Sequence, residues 1–300
     1  MTLRRLPAHS IILVVGLVSG CIAPVVRPAA DVTVENADKM DWSDWAAALA
    51  QAHAGGTVDY GRLTQDRLPL QRTLARFSKA GPYLTPAQFP DQPSRLAYAI
   101  NCYDATILDT VVQLSRRTPF SPTASGSLEF RYRYAIDGRL LTPADLRREA
   151  LALGKGDWRV PFALCDAHRI GPPLPRHPFQ GELLDGQLNE SVRAAIASDA
   201  VVRVSHGEHR LLLWKDLYSL RGRLVQDYET RFGTTDATIL DALLEWSDEN
   251  RRFTLNSAIG YDLAVLPDDH QLNHLAPPAP ETKKSVFSRL ASFSLLRPAK

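Results

Sequence analysis

The first chemistry that the residue types suggest is nucleophilic catalysis by a thiol. Cys165, Asp166 and His168 stand within four positions of one another. A thiolate activated by a neighbouring imidazolium is the nucleophile of thiol hydrolases and transferases, and Asp166 or Asp104 could orient the histidine. The alternative is a small buried cysteine that ends an apolar strand, which is common and inert. Because a three-residue spacing proves no geometry, we favour the inert cysteine and keep the enzyme as the alternative.

The same residues raise the question of a metal site. Cys165, His168 and His177 offer thiolate and imidazole groups, which are the ligands that zinc prefers. Neither Cys-x-x-Cys nor His-Glu-x-x-His accompanies them, so we expect ordinary loop histidines and no metal. The sequence also has no Gly-x-Gly-x-x-Gly and no Walker-type loop, so we expect no nucleotide and no cofactor.

A second group of polar residues is candidate ligand-binding machinery: Asn101, Tyr103 and Asp104. Asn101 and Asp104 are three residues apart in a helical pattern and therefore share a face. With Tyr98 nearby, this face could hydrogen-bond a ligand or the loop around Gly171. The alternative is that Asn101 satisfies buried backbone groups, each of which would cost about 1–3 kcal/mol if left unpaired. We favour that structural role.

The chain has three cysteines: Cys21, Cys102 and Cys165. If Cys21 is modified, Cys102 and Cys165 remain as a pair, and an oxidising compartment would permit a disulfide between them. The sequence does not place their Cα atoms within bridging range, so the disulfide and two free thiols both stay open.

The N-terminus has the layout of a secretory signal. Arg4 and Arg5 precede a short apolar run, and small residues lead to Cys21. The order Val-Ser-Gly-Cys resembles the bacterial lipoprotein signal, the lipobox, with an ordinary signal peptide or an N-terminal helix as the alternatives. The resemblance implies that Cys21 is lipidated. Ile22 after it implies the outer membrane, facing the periplasm, with the inner membrane and the cell surface as the alternatives.

Composition narrows the function classes further. Hydrophobic residues make up 45% of the 300 residues and the formal net charge is +2. This is a globular composition rather than a disordered or fibrous one, and the charge is too balanced for a dedicated nucleic-acid binder. We expect no nucleic-acid partner.

The elements that must position these residues belong to a mixed chain. An apolar stripe over 93–114 predicts a central amphipathic helix, and shorter helices are expected at about 42–54, 68–80, 143–154, 183–197, 217–231 and 236–251. Asp137-Gly138 and Gly207 mark two β-hairpins, and a buried strand is expected at 160–165 and a closing strand at 261–266. The sequence therefore predicts an α+β fold, a single helix-rich domain with two hairpins and a few short strands around the central helix.

Four regions follow from this pattern. Residues 1–20 are the signal peptide, 21–40 a tether without helical periodicity, 41–268 the globular domain, and 269–300 a proline-rich and basic tail. In the tail, the apolar residues of 286–296 fall near one helical face among basic residues, which is typical of a membrane-surface helix; a loosely docked terminus is the alternative.

Several short blocks occur in a recognisable order. They are Val58-Asp59-Tyr60, the stretch 97–105, the Asp137-Gly138 hairpin, the stretch 159–164, Pro172-Pro173-Leu174 and Tyr261-Asp262. Together they resemble the domain-of-unknown-function family 547 over about 57–265. Members of that family occur as exported bacterial proteins and as parts of larger plant proteins, and the resemblance brings no assigned activity.

The chain departs from that family at its polar positions. Pro161 stands where the family has a histidine, Arg147-Arg148 where it has a glutamate–histidine pair, and Asp166 and Gly171 where it has cysteines. If those family residues do chemistry, this chain has lost most of it. We therefore expect an exported, lipid-anchored envelope protein whose domain is a non-catalytic binding or scaffold unit. It would contact membrane lipid through Cys21 and an envelope protein partner. The alternative is a thiol-dependent hydrolase or transferase that uses Cys165 with His168.

Overall fold

The computed structural model describes residues 23–28, 30–34, 39–115, 128–269 and 271–274. The helices of this part are α1 (Ser43–Ala52), α2 (Tyr60–Gln65), α3 (Leu68–Lys79), α4 (Gln92–Ser115), α5 (Pro143–Leu153), α6 (Leu184–Ala197), α7 (Lys215–Phe232), α8 (Ile239–Glu245) and α9 (Glu249–Asn256). The strands are β1 (Val25–Val26), β2 (His53–Ala54), β3 (Thr57–Val58), β4 (Arg133–Ile136), β5 (Arg139–Leu141), β6 (Val202–Ser205), β7 (Arg210–Leu213) and β8 (Asp262–Val265). The mixed, helix-rich α+β class is as predicted.

Helix α4 is the centre of the fold. Every residue from Leu96 to Val112 is buried, and α2, α3, α5 and α6 pack around it. A helix that is enclosed on all sides in this way belongs to the interior of a domain. The predicted apolar stripe is therefore part of a wider buried surface that includes polar side chains.

The first hairpin sits at the edge of this core. β4 pairs antiparallel with β5 and parallel with β1, giving the order β1-β4-β5. The turn residues Asp137 and Gly138 both have positive φ, 50° and 71°, as a type I′ turn requires. The Asp137 carboxylate accepts hydrogen bonds from the backbone N–H groups of Tyr83 and Leu84, each at 2.8 Å. These bonds tie the hairpin to the segment that follows α3.

Helix α5 begins where the sequence predicts. Thr142 and Asp145 form a reciprocal capping box, in which each side chain accepts a hydrogen bond from the other's backbone N–H. Pro143 occupies the first turn, where its missing N–H has no intrahelical partner to lose.

A second hydrophobic cluster forms around the second hairpin. β6 pairs antiparallel with β7, and β8 joins β7 in parallel. Helices α7 to α9 cover this sheet, with Leu217, Leu224, Leu243 and Leu255 buried in the cluster. Trp158 and Phe162 also belong to this cluster, where their rings pack edge to face.

Two predicted elements differ in the structure. Residues 160–163 form a short 3₁₀ helix rather than a strand, because Pro161 has no N–H to give to a sheet ladder and its ring fixes φ in the helical range. The single helix expected at 236–251 is two helices. α8 ends at Glu245, and Asp248 caps the first turn of α9 by accepting from the Arg251 N–H at 2.8 Å.

The described structure also includes residues on both sides of the region 41–268. Within the expected tether, Val25 and Val26 pair with β4, and Val32 and Met40 are buried. At the other end, Leu272 is buried and pairs with His168 through an isolated bridge. Residues 1–22, with the lipidation candidate Cys21, and the proposed tail helix at 286–296 lie outside the described residues. In the described part of the chain, no helix is both long and apolar enough to cross a bilayer.

Candidate functional site

Asn101 lies on α4, where its side chain bonds α1 and the loop before α6. Its Oδ1 accepts hydrogen bonds from Trp45 Nε1 at 3.0 Å and from the Phe179 backbone N–H at 2.9 Å. Its Nδ2 donates to the Phe179 carbonyl at 2.8 Å. The amide is therefore used in satisfying buried backbone groups, which is the structural role that the sequence favours.

Asp104 lies one turn along the same helix and faces a different segment. Its Oδ1 accepts a hydrogen bond from the backbone N–H of Cys165 at 2.9 Å. Its Oδ2 has no hydrogen-bond partner among the described residues. Burial raises the pKa of Asp104 well above its usual range, so the neutral acid is the favoured form at this position.

The Cys165 thiol is enclosed beside this carboxyl group. Its Sγ accepts a weak hydrogen bond from Asn273 Nδ2 at 3.5 Å, and Asn273 Oδ1 in turn accepts from the Tyr60 hydroxyl at 2.8 Å. Burial raises the pKa of Cys165, and a negative charge on Asp104 or Asp166 raises it further. Hydrogen bonds with the Ala167 backbone and with Asn273 lower this pKa by less, so the thiol form is favoured.

His168 is held by Asp166. Its backbone N–H donates to Asp166 Oδ1 at 3.0 Å, and its Nδ1 lies 3.3 Å from Asp166 Oδ2. The hydrogen bond with this carboxylate raises the pKa of His168. Asp166 therefore does orient the histidine, but it also disfavours a thiolate at Cys165.

Tyr103 does not join Asn101 and Asp104 in one site. Its hydroxyl donates to Glu129 Oε1 at 2.8 Å, near the start of the first hairpin. The three candidate ligand-binding residues thus bond three different segments.

The disulfide between Cys102 and Cys165 is not formed. Both cysteines are free and buried. Cys102 and Asp104 are two positions apart on a helix, so their side chains point about 160° away from each other around the helix axis. Asp104 faces Cys165, and Cys102 is therefore turned away from it.

The zinc candidates are likewise separated. His177 lines a surface cleft together with His53, whereas Cys165 is in the interior. Within the described ranges, no three metal-ligating side chains converge on one point.

The sequence did not identify a concave surface that runs along α6. A cleft of about 520 Å³ lies between α6 and the loop 173–179, where His53, Arg176, Ser191 and Ala194 line it. A second cleft of about 740 Å³ lies against α1 and includes Trp42 and Arg193. The two share His177, Gln187 and Glu190. We call this pair of clefts the α6 groove. The volume of each cleft is typical of ligand sites, which run from about 300 to 1,000 Å³.

The loop that walls the α6 groove is pinned from several sides. His53 Nε2 donates to the Leu174 carbonyl at 3.1 Å, and burial lowers the pKa of His53, which keeps its imidazole neutral. Gln187 accepts from the Gln180 N–H and donates to the Pro178 carbonyl, both at 2.8 Å. Together with the Asn101–Phe179 bonds, these contacts make the groove a preformed surface.

A signal for this groove is present in the sequence. Gln187, Glu190, Ser191 and Ala194 recur at helical spacing and are polar or small, while Leu184, Leu188 and Val192 form the buried face of the same helix. A helix with one apolar face and one face of short side chains leaves room beside it. The proline-rich segment before the helix supplies the other wall.

No known protein family, no curated protein and no solved structure matches this chain.

Proposed function

We propose that this chain is an exported, lipid-anchored envelope protein whose globular unit is a non-catalytic binding domain, with the α6 groove as its binding site. The observation that carries the proposal is the environment of Cys165. The thiol is buried, and burial raises its pKa, as does any negative charge on the neighbouring Asp104 or Asp166. A catalytic thiol needs the opposite surroundings, namely access and a neighbouring cation.

The anchor and the location rest on the sequence of the first 22 residues. The Val-Ser-Gly-Cys order supports lipidation of Cys21, and Ile22 favours the outer membrane, facing the periplasm. Because this location is in the cell envelope, the proposed partner is another envelope protein. The alternative function, a thiol-dependent hydrolase or transferase, would need Cys165 to become accessible.

The α6 groove suits a ligand of mixed polarity. Its walls combine apolar surface from Leu174 and Ala194 with the charged groups of Arg176, Glu190 and Arg193. Because its loop is already fixed by hydrogen bonds, a ligand would not have to order the loop on binding, and less conformational entropy is lost.

The test is site-specific photo-cross-linking in intact cells. A photoreactive amino acid at Ala194, in the groove, is compared with one at Gln226, which is exposed on α7. We expect a discrete cross-linked species from Ala194 and none from Gln226. A second substitution that fills the groove, Ala197→Arg, should abolish the species. Identical patterns from both positions, or a species that survives Ala197→Arg, would contradict the proposed site.

A further inference from the structure

The outward face of the sheet β1-β4-β5 carries exposed apolar side chains. In the register of this sheet Val25 lies beside Arg133, and Ala135 lies beside Leu140, so these four side chains share one face. The alternate residues Tyr134 and Ile136 are buried against the core. On the outward face, Val25 is 43% and Leu140 is 50% exposed.

Residues next to these strands extend the surface. Phe130, three positions before β4, is 61% exposed. Two arginines flank the strands: Arg131 precedes β4 and Arg27 follows β1. Like Arg133 within β4, they form no ion pair with a described residue. We call Val25, Phe130, Leu140 and these three arginines the sheet face.

The acidic groups near the sheet face are already engaged. Glu129 accepts a hydrogen bond from Tyr103 at 2.8 Å, and Glu149 pairs with Arg139 at 3.2 Å. The Asp137 carboxylate is used by backbone N–H groups. The sheet face therefore combines exposed apolar side chains with three arginines that form no ion pair with a described residue.

The position of the lipid anchor indicates that this face lies close to a membrane. Cys21 is four residues before Val25. Four residues span at most about 14 Å when fully extended. A lipid on Cys21 would thus hold β1 within about 14 Å of the membrane, close to the roughly 8–10 Å over which charges act at physiological salt.

We propose that the sheet face rests on an anionic phospholipid surface, with the apolar side chains at the headgroup level and the arginines among the phosphates. The proposal rests on the lipid anchor of the proposed function. It gives the domain a defined orientation on the membrane rather than free rotation on a flexible tether.

The experiment measures the contact with lipid directly. The acylated protein carries a single labelling cysteine with an environment-sensitive fluorophore at Leu140→Cys. The matched control is Val265→Cys, a similarly exposed strand residue (41%) in the other sheet. Both proteins are placed on vesicles of phosphatidylethanolamine and brominated phosphatidylglycerol. We expect the bromine to quench the label at position 140 at least threefold more than the label at 265. Equal quenching would overturn the proposal.

Charge variants test the arginines. Neutralising Arg131 and Arg133 (Arg131→Gln with Arg133→Gln) removes two contacts, each of which typically changes membrane partitioning about fivefold. Quenching at position 140 should fall at least twofold, and the same change at Arg203 and Arg210 on β6 and β7 should leave it unchanged. Quenching that is indifferent to both pairs would exclude the arginines from the contact.

Intact-mass measurement separates the two proposals. A protein without acyl groups would contradict the anchor at Cys21. The sheet face would then be tested on that unacylated protein by sedimentation with the same vesicles. Sedimentation that is lost in the Arg131→Gln, Arg133→Gln variant would support the sheet face without the anchor, and no sedimentation of the parent protein would overturn it.

Discussion

The Asp104 carboxyl group is enclosed by protein and receives one hydrogen bond, from the backbone of Cys165. Burying a charge without a partner is costly, so such a group responds by holding its proton. Its raised pKa means that the folded chain binds a proton more tightly than the unfolded chain does. The free energy of unfolding therefore receives its full contribution from this group below the unfolded-state pKa of about 4, and loses it as the pH rises above that value.

We predict that Asp104→Asn changes the pH dependence of stability. The amide cannot ionise, so the variant should gain stability relative to the parent as the pH rises from 4 to 7. Urea unfolding at several pH values measures the difference. The control is Asp236→Asn, at an exposed turn position with positive φ where asparagine is well tolerated. If the plots of unfolding free energy against pH for the parent and for Asp104→Asn stayed parallel, the prediction would be contradicted.

A second prediction concerns the reactivity of Cys165. Because its thiol is buried and its pKa is raised by burial and by carboxyl groups, iodoacetamide should alkylate it at least about tenfold more slowly than a free thiol at neutral pH. The measurement uses reduced, folded protein in a Cys102→Ser background, with the urea-unfolded protein as the reference. Alkylation as fast as that of the unfolded chain, with a midpoint well below pH 8, would favour the enzyme.

At the scale of elements, the central helix carries the stability of the core. Ile100 is fully buried in the middle of α4. Ile100→Ala removes three carbon atoms and leaves a cavity, so the free energy of unfolding should fall by about 2–5 kcal/mol. Denaturant titration checks this value. Leu151→Ala on the surface of α5, where the side chain is 38% exposed, should cost less than about 1 kcal/mol. Equal losses at the two positions would mean that α4 is less central than its burial indicates.

Elements with strong local signals were predictable from the sequence. The periodicity of 93–114 corresponds to α4, Thr142 and Pro143 start α5, and the Asp137-Gly138 pair forms the first turn. The 3₁₀ helix at 160–163 was not predictable in this way, because a short apolar run is equally compatible with a buried strand. The break between α8 and α9 depends on Asp248. Its side chain caps the first turn of α9, which competes with continuation of one helix although the apolar periodicity continues.

The candidate site was only partly predictable. The shared face of Asn101 and Asp104 follows from helical spacing, and Asn101 does bond buried backbone groups. Its partner Phe179 is 78 residues away in the sequence, and no local pattern points to it. The α6 groove depends on the same loop, so its walls come together only through contacts between distant segments.

At the scale of the whole molecule, the prediction is about the anchor. Cys21→Ser removes the thiol that would carry the lipid, and two or more acyl chains are what hold such a protein stably on a membrane. We expect the variant to leave the membrane fraction, while Cys102→Ser remains in it. Fractionation followed by intact-mass measurement checks both. A Cys21→Ser protein that stays membrane-bound and uncut would show that the N-terminus is not a lipoprotein signal.

The bonds made by Asn273 have a consequence for the order of folding. This residue joins Tyr60 across 213 positions at 2.8 Å, and its backbone bonds Val58 at 2.8 Å and Ala167 at 3.0 Å. Contacts between such distant segments form late, because the chain loses the entropy of closing the loop before these contacts can stabilise it. Wherever the chain folds, the hydrogen bond between Asn273 and Cys165 cannot form until the last described residues have docked. A chain truncated before residue 273 should therefore expose more of the interior around Cys165, and limited proteolysis of the truncated protein measures this.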